Sequence, residues 1–419
     1  MQCQYFGICG GCNHFTLDYN AQLQDKYERT LQEFTPLLQT QDTSQSVHIE
    51  VFASPQSGFR ARSELRFFRT DSTLNLAMMN TKETPRKIPI ASCPILRPIL
   101  QQLMTPLCEL LSAKEILYSK IYACNLLCSF SNIAPPCNIN IKGQEQGGFY
   151  KQESHNQEVI VTLIYHKFLD TSWEMEALEL QNILTKTLNV PIHIIGRSKN
   201  QTLALGATSL CESLSLLNGA HHYVYLKQEG AFSQPNPFIN ISMLEFVASS
   251  LQNLYPCPTY DALELYCGSG NFTLVLGAYF QKIFATEVVK SAIIQLQTNM
   301  AHNGITNIYP VRLNALESIQ ALRKKRIFFR LRELRLESFD FDCALIDPPR
   351  SGVGDAKILA FLQDFRTIIY ISCNPLTLLQ DLQILCTTHI IVRFGLFDQF
   401  PYTFHRECIV ILQKKHKCA

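Results

Sequence analysis

Apolar and polar positions follow two different rhythms along this chain. From residue 48 to about 227 they form short β-rich runs, at 64–68, 75–79 and 159–165, with helical spacing at 98–111 and 173–188. That mixture predicts an α+β region. From residue 261 the rhythm becomes strand, helix, strand, with apolar runs at 262–266, 282–286, 343–346, 367–372 and 390–394. A βαβα succession predicts a doubly wound, mainly parallel sheet that holds ligands at the carboxyl ends of its strands. Residues 14–45 read as a helix running into a polar stretch, and two prolines between Gly230 and Pro237 punctuate the chain. The predicted organisation is a cysteine-bearing segment and helix at 1–47, an α+β domain at 48–229 and an α/β domain at 230–419.

Composition narrows the function classes. With 47% apolar and 17% charged residues, the chain is not disordered and must bury a sizeable core. A net charge of +2 excludes a uniformly basic coat but leaves room for a local patch. Residues 323–335 are such a patch, with seven Lys or Arg against one Glu and with Phe328 and Phe329 among them. They read equally as a phosphate-contacting face or as a solvated helix face. No apolar run approaches the ~18 residues of a membrane helix, and the opening MQCQYFGICGGC lacks an export-signal layout. A soluble, cytoplasmic protein is expected, with no membrane contact.

Sixteen cysteines in a long chain without an export signal are expected to be mostly reduced and buried. Cys3, Cys9 and Cys12 depart from that pattern, because three thiols in ten residues of a glycine-bearing loop have ligand spacing. Cys93, on a loop before Pro94, is the candidate fourth ligand. Zinc and [4Fe–4S] both accept four thiolates, and spacing does not separate them.

The first turn of the α/β region runs from an apolar strand through Tyr266-Cys-Gly268-Ser-Gly270-Asn271 into a helix. Its glycines admit close backbone approach to a ligand. The next strand ends at Glu287, where a carboxylate suits a ribose diol. Without a third glycine, the combination fits S-adenosylmethionine better than NAD. Two later loops carry chemistry: Asp347-Pro-Pro-Arg350 and Cys373-Asn-Pro375. Prolines hold both loops rigid, and Cys373, at a strand end beside a cofactor loop, is a candidate nucleophile. His405 and Glu407 are both candidate general bases.

Together these residues resemble the S-adenosylmethionine-dependent RNA uracil-C5 methyltransferases, on their tRNA-directed branch. The resemblance runs from Gly58-Phe-Arg-Ala-Arg to Glu407. It is carried by Phe232-Ser-Gln-Pro-Asn236, the Tyr266–Phe272 turn, Asp347-Pro-Pro-Arg-Ser-Gly, Ser372-Cys-Asn-Pro and Asp398-Gln-Phe-Pro-Tyr-Thr. It implies a Rossmann-like methyltransferase domain behind an α+β substrate-binding domain, with S-adenosylmethionine as methyl donor. It also implies methylation at uridine 54 of the tRNA T-arm; apart from the resemblance, a monomer is expected, with other T-loop-like RNAs as further candidate partners. Cys373 is then the nucleophile and Glu407 the base, and Gln234, Tyr266, Asn271, Glu287 and Asp347 contact the cofactor. Arg60 and Arg62 fall in the segment similar to the family's substrate domain and are candidate tRNA contacts. Cys3, Cys9, Cys12 and Cys93 resemble instead the iron–sulfur pattern of rRNA-directed relatives. That similarity favours [4Fe–4S] and keeps 23S rRNA open as the target.

Two readings of other kinds compete. An amino-directed N-methyltransferase would grip its substrate through Asp-Pro-Pro and would not need Cys373. An iron–sulfur RNA chaperone that helps tRNA fold would not methylate at all.

Overall fold

The computed structural model describes residues 2–14, 18–39, 47–70, 73–80, 86–129 and 157–415. Its larger sheet has eight strands in the order Ile49–Phe52, His389–Phe397, Glu407–Lys414, Thr367–Ser372, Phe341–Ile346, Asp261–Leu265, Ile283–Glu287 and Ile308–Arg312. Glu407–Lys414 runs antiparallel to both its neighbours, and every other pairing is parallel. Parallel strands covered on both faces must be apolar throughout; Thr367–Ser372 is accordingly buried at every position. The covering helices start on polar caps. Asn236 accepts from the Ile239 N–H ahead of Pro237–Leu254, and Asn314 and Glu317 form a reciprocal capping box on Ala315–Leu322.

The smaller sheet has seven strands in the order Lys87–Pro89, Leu74–Met79, Arg62–Arg69, Ile121–Cys128, Val159–Tyr165, Ile192–Ser198 and Gln201–Leu205. Its parallel pair, Val159–Tyr165 with Ile192–Ser198, needs a crossover, and the helix Thr171–Leu188 supplies it. Asp170 caps that helix and left-handed Asn189 (φ 52°) ends it. Trp173 lies directly over Gly196, where a Cβ would come within 2.3 Å of the indole ring. Only glycine permits that approach.

Several elements differ from the sequence expectation. Ile49–Phe52, read with the α+β region, pairs with His389–Phe397 in the larger sheet, so the sheets do not part at residue 48. Its side chains explain the choice: Phe52 stacks on Phe397 at 4.4 Å. The helix Tyr19–Gln39 joins the same layer, with Phe34 edge-on to Phe394 at 4.9 Å. Burying each such ring contributes about 1.5–3 kcal/mol. The hairpin Ser209–Leu216/His221–Gln228 docks on the helix Lys290–His302, where Asn299 and the C-cap residue Asn303 accept the Leu226 and Val224 N–H groups at 2.9 and 2.8 Å. In the larger sheet the sequence does not announce Ile308–Arg312 and Glu407–Lys414, nor in the smaller sheet Lys87–Pro89, Ile121–Cys128, Ile192–Ser198 and Gln201–Leu205. No helix among the described residues is long and apolar enough to cross a membrane.

Candidate active site

Asp347 and Cys373 each follow the last residue of a strand, and those two strands are parallel neighbours. Both side chains therefore emerge at one edge of the sheet. Glu407 reaches the same edge because its strand runs the other way: Ser372 faces Cys408, so Glu407 lies next to Cys373. Asn374 locks the two loops together. Its amide donates to the Arg350 carbonyl at 3.0 Å, while its oxygen accepts from the Leu376 N–H. Arg350 in turn meets His405 Nδ1 at 3.4 Å.

The electrostatics of this cluster are acidic. Burial pushes the Cys373 thiol up to about 11, helped by Glu407 and Asp347 and opposed by Arg350. Burial raises Asp347 to about 7. Glu407 is raised well above the usual carboxylate range by burial and then by Asp347. At rest the group is a neutral thiol beside two carboxyls whose hold on protons is strengthened. Such carboxyls can give as well as take a hydrogen bond.

The strand Asp261–Leu265 delivers the glycine turn to this edge. Tyr266 is left-handed (φ 62°), an uncommon state for a bulky residue, and so are Gly268 and Gly270. A Cβ on Gly270 would come within 2.4 Å of Leu296. Glu287 closes the turn, accepting from Gly268 N–H at 3.2 Å and Val289 N–H at 2.8 Å. Asn271 is paired amide to amide with Asn240, and Gln234 accepts from Gln399 at 2.7 Å.

The four cysteines gather elsewhere. Cys3, Cys9, Cys12 and Cys93 line one cavity of about 400 Å³, with Arg60 and Arg62 on its wall. Tight backbone bonds build the loop: Cys9 N–H donates to the Tyr5 carbonyl and Gly10 N–H to the Met79 carbonyl. Burial and the neighbouring thiols raise Cys12 to about 12; burial, with Cys9 and Cys3 adding, raises Cys93 to about 11. Among the described residues, no group of three or more His, Cys, Asp or Glu comes close enough to hold a metal ion. The expected ligands share a cavity without closing on a centre.

Sequence reasoning missed four participants. Glu264 lies buried in the central strand, raised to about 8 chiefly by burial, with Oε2 lacking a hydrogen-bond partner. An acid inside Asp261-Ala-Leu-Glu-Leu265 was the available signal. Asn240 and Gln399, which hold Asn271 and Gln234, gave none. Lys26 forms a buried 2.6 Å ion pair with Asp398, and it also donates to the Phe400 carbonyl. That pair joins the first helix to the loop leading into Glu407.

Comparison with known proteins agrees with this layout. The tRNA (Uracil-5-)-methyltransferase family profile matches residues 18–135 and 151–415. A Helicobacter hepaticus tRNA/tmRNA (uracil-C(5))-methyltransferase is 53% identical over the full length of both chains. One from Wolinella succinogenes is 41% identical across 99% of this chain and 100% of its own. The crystal structure of Pyrococcus abyssi tRNA (uracil-54, C5)-methyltransferase with S-adenosyl-L-homocysteine shares the fold. Its TM-score is 0.64 at 17% identity, over 97% of this chain and 86% of that one.

Proposed function

The chain belongs to the tRNA (uracil-5-)-methyltransferase family, an S-adenosylmethionine-dependent enzyme class, and we propose that Cys373 is its nucleophile, Glu407 its base and uridine 54 of the tRNA T-arm its target. Uracil C5 is too weak a nucleophile to take a methyl group unaided. The Cys373 proton passes to the neighbouring Asp347 carboxylate, and the thiolate so formed adds to C6, moving the C5–C6 π pair onto C5 as an enolate-like carbon. A proton-holding Asp347 suits a hydrogen bond to the uracil edge as that charge develops. After methyl transfer Glu407 removes the C5 proton, and elimination releases Cys373.

S-adenosylmethionine, when bound, supplies the electrophilic methyl group. Its positive charge suits the Glu287 carboxylate that closes the glycine turn, and in the strand leading to that turn Glu264 Oε2 lacks a partner. By family resemblance Gln234, Tyr266, Asn271, Glu287 and Asp347 hold it. The observation that carries this reading is the meeting of Cys373, Glu407 and Asp347 at one sheet edge beside the glycine turn. Relatives matched across the whole chain act, by their names, on tRNA and tmRNA. This favours tRNA over 23S rRNA, with tmRNA as a further T-loop substrate. We further propose that the enzyme works as a cytoplasmic monomer.

Cys3, Cys9, Cys12 and Cys93 are proposed ligands of a [4Fe–4S] cluster. Four thiols on one cavity, with Arg60 and Arg62 to offset a cluster's negative charge, are the donor set it needs.

The test of the mechanism is incubation with tRNA carrying 5-fluorouracil, in which the base cannot remove the C5 substituent. A covalent adduct mapped to Cys373 and to position 54 is expected. Methylation without any adduct, persisting in Cys373→Ala, would instead leave an amino-directed enzyme.

A further inference from the structure

Residues 323–335 leave the helix Ala315–Leu322 through a left-handed Lys324 (φ 54°) and pass beside the edge strand Ile308–Arg312. Phe328 and Leu331 anchor the segment in the core, whereas Ile327 is 98% and Phe329 76% exposed. Arg332 lies over the Phe329 ring at 4.2 Å and Arg326 over Phe328 at 4.6 Å. Arg323 pairs with Asp364 and Arg332 with Glu333. Among the described residues, no carboxylate pairs with Lys324, Lys325, Arg326, Arg330 or Arg335. Five exposed cations so close together repel one another, and an exposed isoleucine and phenylalanine gain nothing from water. Folding does not account for either feature. A polyanion with flat faces to stack on would accommodate both.

The segment is joined to the catalytic edge of the sheet. Arg330 donates to the Arg312 carbonyl at 2.7 Å, and Arg312 to the Val288 carbonyl at 2.9 Å, one residue beyond Glu287. In the order of strands, Ile308–Arg312 stands four places from Thr367–Ser372. At ~4.8 Å per strand this is about 19 Å from the thiol's strand.

We propose that this ridge is a second RNA-docking surface. It holds the phosphate backbone of the substrate tRNA beside the edge strand Ile308–Arg312, with Phe329 backed by Arg332 as a stacking platform for a base. The proposal rests on the tRNA reading above and adds a surface to it.

The test measures full-length tRNA binding to the whole protein by fluorescence anisotropy from 50 to 300 mM KCl. Each lost phosphate contact flattens the salt slope by about 0.9. The triple variant Lys324→Ala/Lys325→Ala/Arg326→Ala should therefore lose about two to three units of slope and bind about tenfold or more weakly at low salt. Phe329→Ala should bind about fivefold or more weakly at every salt concentration, with its slope unchanged. A melting curve checks that each variant folds, and Lys325→Ala alone replaces the triple if that one does not. An unaltered slope and affinity in a folded variant overturn the proposal. Loss of binding to anionic phospholipid vesicles with tRNA affinity retained also overturns it, giving the ridge to a membrane surface. Absence of methylation by the wild-type protein is a separate failure, that of the activity, and is read from methyl incorporation rather than from slopes.

Discussion

In the reaction pocket Asp347, Cys373 and Glu407 each sit in a strand or within a residue of its end; in the cysteine-lined cavity every thiol sits on a loop. The difference is physical. A hydrogen-bonded ladder sets the spacing of Asp347, Cys373 and Glu407 before any ligand arrives, so burial and then the two carboxyls already raise the Cys373 thiol. A loop held by a few backbone bonds brings Cys3, Cys9, Cys12 and Cys93 to one cavity but not to one point. The first site is preorganised by the fold, whereas the second would be completed by what it binds.

The sharpest way to break this contrast is to remove a sulfur from each side. Cys373→Ala should lower methyl transfer by about 10⁴-fold or more, since covalent activation of C5 has no substitute. S-adenosylhomocysteine should still bind, which calorimetry can verify. A loss below about tenfold would end the nucleophile assignment. In the cavity, Cys12→Ser should change composition before chemistry. Protein purified without oxygen is expected to carry about four irons and four sulfides per chain, and the variant to lose them. A single zinc in the wild type would instead mark a simple tetrahedral site.

A third prediction concerns what joins the two regions. The Asn13 and His14 N–H groups donate to the Tyr402 carbonyl, so the cysteine loop leans on the loop that Lys26 and Asp398 hold in place. Both partners of that ion pair are almost wholly buried. Lys26→Met should cost about 3–5 kcal/mol, because Asp398 is then left buried and unpaired. Pairing it with Asp398→Leu should recover much of the loss, as read from the urea midpoint. A single variant as stable as wild type would show that water reaches Asp398.

How much of this the sequence made legible follows the same division. Strand periodicity and proline-stiffened loops marked Cys373 and Asp347, because a sheet translates local pattern into fixed position. Glu407 was identifiable as a candidate base, but its antiparallel strand was not, and only that strand brings it beside Cys373. The cysteine spacing announced a shared cavity without its geometry. Partners such as Asn240, Gln399 and Lys26 stayed hidden because their hydrogen bonds span from 31 to 372 residues of chain. No local pattern encodes a contact at that separation. Ile49–Phe52 was misplaced for a similar reason: four residues carry too little pattern to say which of two sheets they will join.

The smallest effect tests preorganisation most directly, because it needs neither cofactor nor RNA. With its thiol pushed up to about 11, Cys373 of the free enzyme carries little thiolate at neutral pH. Its alkylation by iodoacetamide should therefore rise about tenfold per pH unit between pH 7 and 10, because only the thiolate reacts. Peptide mapping separates it from exposed Cys211 and Cys257. Asp347, raised to about 7, is charged over most of that range and holds the thiolate back. Asp347→Asn removes this repulsion, so the thiol should ionise more readily and react severalfold faster at pH 8.5. The sign is the useful part. If the strand ladder were not holding Asp347 against Cys373 in the empty enzyme, the substitution would leave the alkylation rate where it was, and a plateau below pH 9 would show a thiol free of its acidic neighbours.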